Sequence, residues 1–282
     1  MLAIGLALSA SVLWGLSDFV GGATSRRLPV VVVIAGSQAV ALSVLAPVVL
    51  AGSGPVPDLE TMAIAAGAGA AGAGALGSLY LALALGRMSV VAPLSSTAVA
   101  IPVLYALAGG ERPAPVELAG MALAAAGVIL VSRSLESDEA APKRERASIA
   151  LALLAAVGVG VFFIGMDHAA SASAGWTLLA SRIAEATVAA AALTVRRPAV
   201  TGLLDGRTVA AIVAVGLVDM VGTGAFVLAS RESLLSVVSV LAALYPVTTA
   251  LLARGLLGER VPAWQGAGVI AALAGTALIA AG

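Results

Sequence analysis

The sequence predicts an all-α membrane protein with ten transmembrane helices, arranged as two inverted five-helix repeats. Three observations carry this: an apolar composition, ten apolar stretches of spanning length, and an internal repeat with an odd number of stretches per copy. Of the 282 residues, 61% are hydrophobic and 11% are charged, and the mean hydropathy is +1.09. A water-soluble domain carries about 25% charged residues. A chain of this length has no interior large enough to hide so much apolar surface, so its solvent has to be lipid.

The same composition excludes several classes of function. There are no cysteines, which removes disulfides, thiolate metal sites and a thiol nucleophile. His168 is the one histidine, which removes multi-histidine metal sites. Lys and Arg balance Asp and Glu at 15 each, and no basic stripe with interleaved aromatics is present, so nucleic acid is not an expected partner. No cofactor or metal is expected. Gly is abundant at 32 residues, and small residues let helix backbones approach where apolar surface gives no drive to pack.

A spanning helix needs roughly 20 apolar residues, and ten stretches qualify. The first, 2–22, could pass for a signal peptide, but it lacks a basic start and holds Trp14 and Asp18, so it reads as a retained span. Asp18 falls in its last turn, where a structural role with Arg26 or Arg87 as partner is expected. The second, 30–50, carries Ser37 and Gln38. The third, 61–85, holds Gly67, Gly69, Gly72, Gly74 and Gly77 without the Gly-Lys-Ser/Thr ending of a phosphate loop, and reads as a tightly packed helix. The fourth and fifth are 89–109 and 116–132, the latter introduced by Pro113 and Pro115. The sixth, 148–166, ends before Asp167-His168, which reads as a solvated loop. The seventh and eighth, 174–194 and 208–229, contain the charges Arg182, Glu185 and Asp219. The ninth, 234–254, is interrupted by Tyr245-Pro246, and the tenth, 263–281, follows Pro262. Trp176 and Trp264 open the seventh and tenth as interfacial anchors.

The stretch from Arg133 to Arg146 is the longest polar segment and separates five spans from five. The expected organisation is therefore a first repeat over 1–132, a linker over 133–147 and a second repeat over 148–282. Gly110-Glu111-Arg112 recurs as Gly258-Glu259-Arg260, and 110–130 shares nine identities with 258–278. Ser89-Val90-Val91 resembles Ser236-Val237-Val238, and Ser37-Gln38 matches Ser181-Arg182. Five spans per copy force the copies to insert with opposite orientation, a recurring transporter architecture with its site near the midplane. Loops after odd-numbered spans hold 12 Lys and Arg against 2 after even-numbered spans. The positive-inside rule then places the linker in the cytoplasm and both termini outside.

The layout resembles the drug/metabolite transporter superfamily, specifically proteins with two EamA-type domains. The residues that carry the resemblance are Leu13-Trp14-Gly15-Leu16-Ser17-Asp18-Phe19, Ser181-Arg182, Leu244-Tyr245-Pro246-Val247 and the two Gly-Glu-Arg turns. It covers essentially the whole chain. It implies a ten-helix fold with a central cavity, alternating access, and transport of amino acids, sugars, nucleotide precursors or drugs, usually with proton or solute exchange. One departure stands out: the first half has Val99 where the second has Pro246, with Pro102 three residues later, so the fourth span is expected to bend elsewhere than the ninth.

Ionisable side chains at membrane depth cost several kcal/mol and demand a reason. Arg182 and Glu185 share a helix face. They form, with Asp219, either a neutralised structural cluster or a site in which Arg182 binds a carboxylate or phosphate and an acid handles a proton. Trp14, Gln38, Tyr80, Ser95, Ser96, Thr97, Tyr105 and Tyr245 are the polar and aromatic candidates for lining a cavity. Glu111, Arg112, Glu259 and Arg260 are read as structural corners. The function expected is a secondary transporter, an exporter of small metabolites such as amino acids or drugs in the cell (inner) membrane, with a small-molecule substrate, membrane lipid and protons as partners, acting as a monomer or homodimer. The alternatives are a membrane structural or assembly protein and, through a Ser–His168 dyad, a membrane-embedded enzyme.

Overall fold

The structure is a computed structural model, and it describes residues 1–52, 54–86, 88–132, 143–199 and 205–258, with 267, 268, 270, 271, 274, 275 and 278. Among these residues the chain is all-helical. The helices are α1 (Leu2–Ser25), α2 (Val30–Gly52), α3 (Leu59–Leu85), α4 (Met88–Ser95), α5 (Ala100–Ala108), α6 (Pro115–Ser132), α7 (Lys143–Ala170), α8 (Ala174–Arg196), α9 (Gly206–Ser230), α10 (Leu235–Ala242) and α11 (Tyr245–Leu257). A 3-10 turn, Ser96–Val99, joins α4 to α5. Among the described residues, seven helical segments are long and apolar enough to cross a membrane, α10 and α11 counting together as Leu235–Leu257. Glu259, Arg260, Trp264, most of the tenth span and linker residues 133–142 lie outside the described residues.

Local chemistry explains where the helices start and stop. Asp58 and Asp205 precede α3 and α9, and their carboxylates accept the backbone N–H groups of Thr61 at 2.9 Å and Thr208 at 2.7 Å. These bonds satisfy otherwise unpaired donors of a first turn. Gly258 ends α11 at φ 67° in the left-handed region, which glycine enters without a Cβ clash. The fourth and ninth spans both break at mid-length. Pro102 and Pro246 each sit in the first turn of the helix after the break, where a missing N–H costs nothing. The expectation of differently placed bends is corrected here. A proline three residues further on still falls in a first turn, because the 3-10 turn takes up the offset.

Two further expectations are corrected. The first span runs to Ser25, so Asp18 lies well inside α1 rather than in its last turn, and it is buried. Asp167 and His168 are helical, since α7 continues to Ala170; Asp167 faces Ser230. A polar pair next to small apolar residues reads as a boundary, but the helix continues through it, with His168 exposed.

Packing runs across the two parts of the chain. α3 packs on α7 and α8, α1 on α9 and α11, α2 on α8 and α9, α4 on α11, and α10 on α5. Glycines permit the closest approaches. A methyl group at Gly69 would collide with the backbone of Ser181, and one at Gly216 with the backbone of Ser37. Every residue of α10 is buried. Leu104, Leu154, Val48 and Leu251 instead point outwards, as side chains do when the surroundings are apolar.

Candidate functional site

Four helices bring polar side chains to one level. Ser173 caps α8, its hydroxyl accepting the N–H of Trp176 at 3.5 Å, and Arg182 and Glu185 follow on one helix face. α9 contributes Asp219 and, one turn on, Thr223; α2 contributes Gln38; α1 contributes Trp14. Arg182 is 1% exposed and Glu185 4%.

The guanidinium is the hub. Its Nη1 donates to Asp219 Oδ2 at 2.6 Å, Glu185 Oε2 at 2.8 Å and Gln38 Oε1 at 3.0 Å. Its Nη2 donates to Thr223 Oγ1 at 2.5 Å and to the Asp219 carbonyl at 3.3 Å. Thr223 Oγ1 donates to the same carbonyl at 2.9 Å and accepts from Trp14 Nε1 at 3.4 Å. Bonds between ionised groups are the strong kind, and they strengthen in a low dielectric. An uncompensated buried guanidinium would cost far more than the fold could supply. Arg182 Nε has no acceptor among the described residues. The arrangement leaves Arg182 engaged by protein on both terminal nitrogens, so an anion could take Nη1 or Nη2 only by displacing a protein acceptor.

A cavity of about 80 Å³ adjoins this hub, lined by Trp14, Asp18, Phe162, Phe163, Arg182, Glu185, Asp219 and Tyr245, among others. It is well below the roughly 300–1,000 Å³ of a drug-sized pocket, so in this conformation it admits only a small solute. Gly72 makes room for one Glu185 oxygen, which lies 3.3 Å from where a Cβ would stand. Trp14 stacks on Phe163 with ring centroids 5.5 Å apart, and Phe163 on Phe226 at 4.5 Å. Tyr80 Oη lies 3.3 Å from Ser17 Oγ.

The broken helices meet beside the cavity. Ser95 Oγ donates to the Ala92 carbonyl at 2.8 Å and lies 2.7 Å from Tyr245 Oη. The serine has a single proton, so the tyrosine is the donor of that second bond. It ties α4 to α11 at their ends next to the breaks.

A family model for the EamA-like transporter family matches residues 1–133 and again residues 146–281. The chain belongs to this family. Its two matched regions are two EamA domains, and the protein is a multi-pass membrane protein of a transporter family. A crystal structure is similar over 98% of this chain and 95% of its own length, with TM-score 0.73 and 18% identity, which speaks for the fold alone. No curated protein matches the sequence.

Within this EamA-like chain the expected site residues divide. Arg182, Glu185, Asp219, Trp14 and Tyr245 line the cavity. Gln38 reaches the hub through Arg182, and Tyr80 and Ser95 stand one layer behind it. The Ser96 side chain lies outside the described ones, and Tyr105 is 52% exposed and away from the cavity. Arg112 turns back to the Glu111 carbonyl at 3.2 Å. Glu111 does something the sequence reading missed. Its carboxylate accepts the backbone N–H groups of Leu235 at 3.0 Å and Ser236 at 3.2 Å, and the Ser236 hydroxyl at 2.5 Å, so it caps α10 from the other part of the chain. Thr223 was also missed, although it stands four residues after Asp219 and so on the same helix face.

Proposed function

We propose that this EamA-like chain is a secondary transporter that exports a small metabolite across the cell membrane by alternating access, with protons as the coupling ion. The observation that carries the reading is the cluster of Arg182, Glu185 and Asp219 on a cavity beside the two helix breaks. Ionisable groups at membrane depth default to function, and broken helices occur there where they line a cavity or are buried in protein. The halves act as inverted five-helix repeats of a ten-helix protein. In support, Gly69 against Ser181 is answered by Gly216 against Ser37, and the matched positions Gln38 and Arg182 bond to each other. The distribution of arginines supports a cytoplasmic linker and external termini.

Transport in this reading is a rocking of the halves about the cavity. A proton on Glu185 or Asp219 cancels the charge in one ion pair with Arg182, weakens that bond and changes the relative free energy of the inward- and outward-open states. The test uses purified protein in liposomes with a trapped pH dye, an imposed pH gradient, and a panel of amino acids, sugars, nucleosides and cationic drugs. Proton movement triggered by one compound class is expected, and its loss in the Glu185→Gln, Asp219→Asn double variant. Wild-type exchange in that variant overturns the coupling role. No movement of any labelled solute, by gradient or counterflow, overturns transport itself.

A further inference from the structure

A second hollow, larger than the central cavity, opens between α2, α3, α7 and α8. Its volume is about 600 Å³. Val30 and Ile34 of α2, Gly74 and Leu81 of α3, and Val188 and Arg196 of α8 mark its extent. Ser78 and Arg196 are the polar residues among those that line it, and the rest of the wall is aliphatic, glycine or proline. Gly74 is exposed and nothing lies within 4 Å of where its Cβ would stand, so the floor is open. Leu81 and Val188 are each 39% exposed, and exposed apolar side chains at membrane depth face hydrocarbon. Along α8 the hollow runs from Val188, one turn beyond Glu185, to Arg196 in the last turn. Arg196 stands eleven residues past Glu185, a rise of roughly 16 Å, which matches one leaflet of the hydrocarbon core. The hollow therefore reaches from near the level of the charged cluster to the level of lipid headgroups.

Its outer end is basic. Arg196 is exposed, and no hydrogen-bond or ion-pair partner for it stands among the described residues. Arg197 follows it, and Pro29, at the same end of the hollow, is preceded closely by Arg26 and Arg27. Arg26 donates to the Gly86 carbonyl at 3.3 Å, which brings the ends of α1 and α3 together. Arg27 and Arg207 both act on Asp205, which adds the start of α9 to this face. The arginine distribution assigns the face to the cytoplasm, where the leaflet carries anionic lipid.

We infer that the hollow binds one phospholipid with an anionic headgroup, its acyl chain in the hollow and its phosphate on Arg196. Basic pockets between spanning helices on this side of a membrane take such headgroups, and a guanidinium pairs with phosphate through two parallel bonds. Free phosphate has no chain for the aliphatic wall to cover. The site depends on the membrane fold and not on the transporter reading.

Purified full-length protein is stripped of lipid and titrated with phosphatidylglycerol or with phosphatidylcholine of identical chains, and bound lipid is counted by native mass spectrometry. Wild type is expected to favour phosphatidylglycerol by about fivefold, the preference that one arginine near an anionic surface gives, and by less in high salt. Arg196→Gln is expected to lose most of that preference and still bind both lipids, while Arg196→Lys keeps it. Gly74→Leu fills the hollow and is expected to lose binding of both lipids there. Wild type without a preference overturns the headgroup assignment with no variant having to fold. A preference unchanged in Arg196→Gln overturns the placement. Displacement of phosphatidylglycerol by an equal concentration of inorganic phosphate shows a free-phosphate site and overturns the lipid. Loss of solute-triggered proton movement in Gly74→Leu, with lipid binding unchanged, makes the hollow a solute passage and overturns the proposal.

Discussion

Arg182 shows how one residue sets the energetics of its surroundings. Its bonds reach α2 and α9 as well as its own helix, so its loss affects more than a pairwise contact. Arg182→Met leaves Glu185 and Asp219 buried without a counter-charge, and removing one partner of a buried pair costs about 3–5 kcal/mol. The expected outcome is a large fall in the melting temperature of detergent-solubilised protein. Replacing Arg182, Glu185 and Asp219 together by apolar residues of similar volume is expected to recover much of it. Recovery would show that burial of unpaired charge is the cause. A triple variant no more stable than the single would point instead to lost packing. Asp18 differs from Glu185 and Asp219, because among the described residues no cation is bonded to its carboxylate.

At the scale of elements, stability depends on how helices are ended and how closely they approach. Asp58 and Asp205 have carboxyls held below the usual value by hydrogen bonds from Thr61 and Thr208. A group whose native value is depressed contributes stability above its unfolded value, near 3.9 for Asp, and loses it as pH falls through the native value. Acid titration of the melting temperature is therefore expected to fall below about pH 4 in wild type, and less steeply in an Asp58→Asn, Asp205→Asn variant, whose neutral amide caps do not titrate. Equal slopes would show that these caps contribute nothing to acid sensitivity. Glu111 is a cap of another sort, since it reaches α10 from 124 residues away. Glu111→Ala is expected to speed hydrogen exchange at the Leu235 and Ser236 amides while leaving the starts of α3 and α9 unchanged. Glycine contacts give a paired test. Gly69→Ala and Gly216→Ala meet backbone atoms, which cannot turn aside as a side chain can, and both are expected to destabilise. At Gly5 nothing lies within 4 Å, so Gly5→Ala is expected to stabilise α1 by about 0.5–1 kcal/mol through backbone entropy. The same melting assay checks all three.

For the whole molecule, the reciprocal contacts make each half complete the other's site. α1 and α2 of the first matched region meet α8 and α9 of the second around Arg182, and Tyr245 and Ser95 join the broken helices. Neither half contains the cavity alone, since Trp14 and Asp18 come from one and Arg182, Glu185 and Asp219 from the other. Co-expression of residues 1–140 and 141–282 as separate chains is expected to restore the solute-triggered proton movement in liposomes where either alone gives none. Proton movement with a single half would show that the site does not need the other. A solute larger than the cavity requires its lining residues to part.

Much of this protein was legible in its sequence for a simple reason. Helices in lipid must satisfy every backbone group internally, so apolar length alone locates them. Nine of the ten expected stretches coincide with described helices or helix pairs, and the buried charges stood out because lipid makes them expensive. What the sequence could not settle was which side chains face each other. Asp18 read as a helix-end residue and Asp167-His168 as a loop, because only packing against α9 shows the first buried on a cavity and the second continuing a helix. Likewise the Gly-Glu-Arg turn announced a corner, but that Glu111 caps a helix more than a hundred residues away depends on how the halves come together. Membrane depth and periodicity are properties of a segment and can be read one segment at a time. Pairing of charges, sharing of a cavity and capping at a distance are properties of several segments at once, and the tertiary structure alone decides them.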